Sequence, residues 1–212
     1  MSSDLKNVLH ALFDAERKML EHERVLLDAE QDSLEALFVD TVQLSLQLED
    51  SDERRMRLCR LADLCAQIAG PILCDQLIKM INDHDAQIRA AAGEALRDVG
   101  YERYADVARS IDRAVDDDRL STALQELPWV LAEIGEPSAL GIIGRFLKSS
   151  DGNVVANAIE ALVQLDEAAA IDQLQTLIDD ERIVVHETAD EDAHVTLGEL
   201  AEEAIELLGD ED

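Results

Sequence analysis

The sequence predicts an all-α protein built as a stack of helical hairpins, and three observations carry that prediction. First, a unit recurs that runs from a polar turn through an alanine-packed helix to a small or polar stop. It stands at Asp85–Gly100, again at Asp151–Asp166, and less cleanly at Leu120–Gly135. Units returning about every 30 residues mark a solenoid whose neighbours share one continuous core. Second, 47% of the residues are hydrophobic but only 3% are aromatic, a mix that suits close helix–helix packing over sheets. Third, sliding one segment forward by 66 residues lays Pro71 on Pro137, Asp85 on Asp151 and Ile88 on Val154. The same shift lays Ala92, Ala95, Leu96 and Val99 on Ala158, Ala161, Leu162 and Leu165.

Taken in order, the chain is expected to form one domain over residues 1–212. A helix fills 1–32, repeats fill 33–209 and an acidic tail ends it at 210–212. From Asp4 to Glu30, Leu5, Leu12, Met19 and Leu26 return every seven residues, with Val8, Ala15, His22 and Ala29 three later. So broad a stripe predicts a helix that caps the first repeat or pairs with a second copy as a coiled coil. Ser33–Leu48 reads as the next helix, with Ser33 as its N-cap. The turn Glu49–Glu53 then leads to a helix ending at Ala69–Gly70. Pro71 opens the clearest hairpin, where its missing N–H costs nothing. That hairpin pairs Ile72–Ile81 with Gln87–Val99, Gly100 closing it. Tyr104–Val115 and Leu120–Ile134 supply a divergent one. The last runs from Ala168–Ile178 to Leu197–Gly209 across an enlarged loop, where Ile183/Val185 and His194/Val195 flank an acidic tip at Ala189–Asp192. That alternation predicts a small β-hairpin.

In these residues the chain resembles HEAT repeats of the short, phycobilisome-lyase-like kind. Their pattern is an Asp-containing turn followed by V-R-x-A-A-x-x-A-L-x-x-[LI]-G. Asp85, Ile88-Arg89, Ala91-Ala92, Ala95-Leu96, Val99 and Gly100 match it nearly in full. The unit at 151 matches in part, with Val155 in place of the Arg and Asp166 in place of the Gly. The resemblance covers about 33–209 and implies an α-solenoid of about five hairpins. It also implies a structural ladder between repeats, for which Asp85 and Arg89 are the candidates.

The charge narrows the function. With 48 acidic and 18 basic side chains, the net charge is −30. Such a field repels phosphate backbones and anionic lipid surfaces, which excludes nucleic acid and membrane as expected partners. It attracts basic proteins. Solubility in a salty environment is the other use of such a surface. Cys59, Cys65 and Cys74 are odd in number, lack CxxC spacing and fall in helical patterns. They read as small buried apolar side chains in a reduced, cytoplasmic setting. The N-terminus shows no signal pattern, and no apolar run approaches about 18 residues.

Chemistry is not expected. Deoxyhypusine hydroxylase resembles this architecture and holds iron through His-Glu pairs on its second helices. The matching positions here are Ala90-Ala91 and Ala156-Asn157, which cannot ligate. His22-Glu23 and His186-Glu187 have no counterpart in an equivalent repeat. His186 and His194 with Glu187, Glu191 and Asp192 could gather a divalent cation, but carboxylate-rich loops are usually only solvated. Asp116–Asp118 and Asp50–Glu53 lack calcium-loop spacing and read as helix-start acids. No phosphate loop, nucleophile elbow or H-E-x-x-H motif is present. The expectation is no enzyme, no cofactor and no metal.

A partner is expected on the second helix of each pair, which lines the inner surface of such stacks. Sliding by 35 residues lays Gly100 on Gly135 and Leu96 on Leu131, and it puts Trp129 on the solvent-facing column with Glu94, Glu160 and Glu203. Gln125, Glu199 and Arg97 stand beside it. A shift of 33 would instead bury Trp129 at the place of Leu96. The resulting expectation is a scaffold, adaptor or specific chaperone that binds a basic protein surface through Trp129 and this acidic column. The alternatives are a lyase-type assembly factor that handles a cofactor with its acceptor, and an acidic mimic of nucleic acid.

Overall fold

A computed structural model describes residues 2–187 and 192–209. Contacts divide the chain into two compact units, Met1–Thr41 and Val42–Asp212.

The first unit holds α1 (Ser2–Leu27) and most of α2 (Gln31–Leu46), which runs on into the second. The long N-terminal helix is present. Its stripe is largely exposed, with Leu5 at 69%, Val8 at 65%, Leu12 at 58% and Met19 at 41%. By contrast α2 buries Leu34, Phe38, Val42 and Ser45. It begins at Gln31, where the Leu34 amide already donates to the Glu30 carbonyl. Ser33 therefore lies inside the first turn and is not the predicted cap.

In the second unit α3 (Ser51–Ile68) is followed by α4 (Pro71–Ile81), α5 (Ala86–Ala114), α6 (Ser121–Ile134) and α7 (Ala139–Phe146). After them come α8 (Gly152–Leu165), the short α9 (Ile171–Leu174) and α10 (Leu197–Gly209). Asp50 caps α3 by accepting from the Asp52 and Glu53 amides. Pro71 stands at the first position of α4, as its fixed φ favours. The packing runs α3 on α5, α5 on α6, α6 on α8 and α8 on α10, which is one row of second helices. The α4 helix backs α5, and α7 backs α8. This is the α-solenoid that the recurring unit predicts.

The equivalence by 66 residues holds in detail. Asp85 and Asp151 take nearly the same backbone (φ −81°, ψ 117° and φ −82°, ψ 116°). Each carboxylate caps its helix by accepting from the amide two residues on, Gln87 or Asn153, at 2.9 Å. Ile88 and Val154, Ala92 and Ala158, and Leu96 and Leu162 are all buried. Alanines at 92 and 158 let neighbouring backbones approach, while the branched residues fill the layer between.

Two boundaries differ from expectation. The helix does not close at Gly100: α5 runs on to Ala114, with only Arg103 leaving helical geometry (φ −137°, ψ 49°). Its halves before and after that kink are the two helices read separately from the sequence. Gly100 is there for close approach, since a β-carbon on it would lie 2.3 Å from Ile134 Cδ1. Gly135, in contrast, does end α6 in the left-handed conformation (φ 74°) that glycine adopts freely. Asp166 fills the same role after α8 (φ 57°).

The expected β-hairpin is formed by β1 (Ile183–Glu187) and β2 (Asp192–Thr196), antiparallel, with Val184 opposite Val195 and Val185 opposite His194. Its inward side is Val184, while Ile183 and Val185 face solvent. An isolated pair of strands is marginal. Here Val184 sits against Gly152 at the start of α8, and Arg182 donates to the Ser149 carbonyl at 2.8 Å. The acidic tip lies mostly outside the described residues.

Candidate partner-binding groove

The scarce arginines set the electrostatics of this unit, because many of them tie one repeat to the next. Arg55 on α3 grips Asp85 Oδ2 with Nε and a terminal nitrogen, both at 2.7 Å. Arg113 reaches Asp75 at 2.7 Å, and Arg145 holds Asp112 and Asp116. The ladder predicted between Asp85 and Arg89 is therefore made by Arg55, one repeat earlier. Arg89 turns away, donating to the carbonyls of Asp83 (3.2 Å) and His84 (3.1 Å). Arg89 reaches back to the carbonyls ahead of its own helix, whereas Arg55 of the preceding repeat presents the N–H edge of its guanidinium to the cap.

Those two bonds to one oxygen, with the Gln87 amide on the other, hold the Asp85 carboxyl below its ordinary range. A carboxylate depressed in the fold stabilises above its unfolded pKa of about 3.9, and that stability is lost as pH falls through the folded value. Asp85→Asn is thus expected to be less stable than the parent at neutral pH and equal to it in strong acid. Urea unfolding at a series of pH values checks this.

Between α5 and α6 lies a groove of about 420 Å³, lined by Ala90, Gly93, Glu94, Trp129 and Val130 among others. Trp129 is half-buried, while Val130 and Leu131 behind it are buried. The register of 35 residues therefore describes α6, with Leu131 in the core place of Leu96 and Trp129 in that of exposed Glu94. Pro128 sits inside α6 and lacks an amide to donate. One carbonyl of that helix, on Gln125, accepts from Asn157 Nδ2 of α8 at 2.8 Å.

The groove's rim is more balanced than the sequence suggests. Arg97 crosses from α5 to Glu133 at 2.8 Å, and Arg89 lies 3.5 Å from Glu126. Glu126 and Glu133 line the groove but fall outside the column that the repeat alignment gives. Both stand on α6 at helical spacing from Trp129, and that periodicity could have found them.

The other predicted residues are scattered. Gln125 and Glu160 are half-buried and Glu203 is exposed, but none of them lines this groove. Glu199 is committed to structure: its carboxylate accepts from the Thr196 amide at 2.8 Å and from the Thr196 hydroxyl at 3.1 Å. The Glu199 amide in turn donates to that hydroxyl, completing a capping box that opens α10. These bonds lower its pKa.

Of the candidate cation-binding loop, Glu191 and the side chains of His186, Glu187 and Asp192 lie outside the described residues. No described helix is long and apolar enough to cross a membrane.

Comparison with known proteins gives a match to the family model for HEAT repeats over residues 128–191. It takes in part of α6, all of α7, α8 and α9, and part of the hairpin. No curated protein sequence matches. Solved structures that are similar include an engineered protein at 18% identity, covering 89% of each chain with a TM-score of 0.35. A designed armadillo repeat protein in complex with a (KR)4 peptide is 14% identical, with 91% of this chain and 92% of that one covered and a TM-score of 0.39. The HEAT-like repeats protein from the archaeon Thermococcus onnurineus NA1 is 14% identical, with 90% and 96% covered and a TM-score of 0.29. The repeat unit at 85 lies outside the matched segment but shares its cap and core geometry with the unit at 151, which lies inside it. On that match residues 128–191 carry HEAT repeats, within the stack of helical pairs described above.

Proposed function

We propose that the chain is a non-catalytic protein-interaction module that takes a basic segment of a partner protein in the groove beside Trp129. The observation that carries this reading is the meeting of a half-buried tryptophan with three carboxylates, Glu94, Glu126 and Glu133, along one groove. An arginine of the partner stacks on the indole face and is drawn to Glu94. Such a cation–π contact contributes about 0.5–2 kcal/mol as water is excluded. Glu126 and Glu133 are already oriented by Arg89 and Arg97, so a second basic side chain can exchange with these arginines. The net charge of −30 steers a basic partner toward the surface.

Catalysis has no support in the thiols. Burial pushes Cys65 and Cys74 each up to about 12, and it raises Cys59 as well, so neither buried sulfur is a thiolate at neutral pH. We also read α1 as a face through which the chain associates with itself.

The groove is tested by fluorescence anisotropy with labelled peptides in which two arginines flank apolar residues, at about 0.15 M salt. Binding is expected, and it is expected to weaken when Glu94 is changed to Lys. Equal affinity for a peptide with glutamates in place of the arginines contradicts the proposal.

A further inference from the structure

We propose that α1 pairs with α1 of a second copy as a parallel two-stranded coiled coil, a geometry that rests on the reading of α1 as a self-association face. Leu5, Val8, Leu12, Ala15, Met19 and His22 occupy alternate three- and four-residue spacings along it, the positions that form a coiled-coil seam. The large members of that seam are exposed, and α1 at 26 residues is about 39 Å long. Soluble chains seldom leave an apolar strip of this length uncovered.

Charge selects the occupant. The helix carries five acidic and four basic side chains, so it is nearly neutral while almost all of the net −30 lies elsewhere. A basic partner is drawn to the rest of the chain in preference to this helix. An anionic lipid surface repels the rest of the chain. A second copy offers α1 a matching seam, and the repulsion between the two acidic remainders falls as salt screens it.

Charge also selects the direction. In the parallel arrangement Lys18 flanks the seam opposite Glu23 of the second copy, and the symmetry makes this attraction twice. An antiparallel arrangement that overlaps nearly the whole helix sets Lys18 against Ala11 and Glu16 against Leu9, so neither charge meets an opposite one. Parallel pairing also brings His22 against its own copy, a polar layer that holds the register at some cost in affinity.

Sedimentation velocity on the full chain at tens of micromolar, in about 0.5 M salt, reads the mass. The expected value is twice 23.4 kDa. Salt is expected to strengthen the dimer by screening the acidic remainder, the opposite of its effect on the Trp129 groove. Leu12→Asp is expected to give the monomer with unchanged helical circular dichroism. Ala15→Cys, in a Cys59→Ser background, is expected to oxidise to a covalent dimer, because the two β-carbons adjoin only in the parallel register. A monomeric mass for the parent chain overturns both the self-association and its geometry. A dimer that persists in Leu12→Asp places the contact elsewhere. A dimer dissolved by Leu12→Asp but never cross-linked at residue 15 leaves self-association standing and overturns the parallel arrangement.

Discussion

Leu96→Ala and Leu162→Ala are each expected to lower the free energy of unfolding by about 2–5 kcal/mol, the range for emptying a fully buried leucine site. Both side chains are 0% exposed, on α5 and α8 respectively. They stand at the same place in two repeats 66 positions apart. Each is fully enclosed by close-packed neighbours, so a cavity there removes contacts that its lining cannot regain. Leu165→Ala supplies the contrast, because Leu165 is half-buried although its counterpart Val99 is buried. Its cost is expected to be about 1 kcal/mol. Urea unfolding followed by circular dichroism reads all three, and an unchanged dependence on urea shows that the variants unfold from the same state. A small effect at one of Leu96 and Leu162 with a large one at the other contradicts the equivalence of the two repeats.

Trp129→Ala is expected to weaken binding of a basic peptide by about 2 kcal/mol or more, roughly 30-fold, as removal of a central aromatic anchor does. Trp129 lines the groove from α6, between Glu126 and Glu133 along that helix, and Glu94 lines it from α5. Truncating it removes the stacking surface and admits water to the carboxylates. Glu203→Ala serves as the control, since Glu203 is exposed on α10 and outside the groove. A lone exposed carboxylate contributes about 0.2–1 kcal/mol, so that variant is expected to stay close to the parent. Isothermal titration with the same peptide measures both. The two predictions separate cleanly, because Leu96 and Leu162 act through the core and Trp129 acts at the surface.

What the sequence disclosed is what repetition discloses. Asp85 and Asp151 recur at fixed distance from Ile88 and Val154, and their caps superimpose in the structure. Gly135 was enough to set the register of α6, because a left-handed stop fixes where that helix ends, although Trp129 is half-buried there and not open to solvent. Contacts between repeats were less visible. Arg55 lies 30 positions before Asp85, and no spacing rule within a helix connects them. The pairing of Arg97 with Glu133 also spans two repeats, so the acidic column looked more acidic than it is. Gly100 misled because glycine commonly ends helices, whereas here it admits the Ile134 side chain. The role of Glu199 is local enough to be legible in the sequence. Thr196-x-x-Glu199 ahead of an apolar helix is the sequence form of a capping box, and reading it would have removed Glu199 from the binding residues.

The chain has a single tryptophan, so its own emission reports on the groove without a label. Titrating an arginine-containing peptide into the full chain at about 0.15 M salt is expected to shift that emission to the blue and to protect it from acrylamide quenching, saturably. Glu94→Lys is expected to move the midpoint to higher peptide concentration. Emission and quenching left unchanged by a peptide that anisotropy shows to be bound would mean that the partner sits elsewhere on the repeats, contradicting the assignment of the groove beside Trp129.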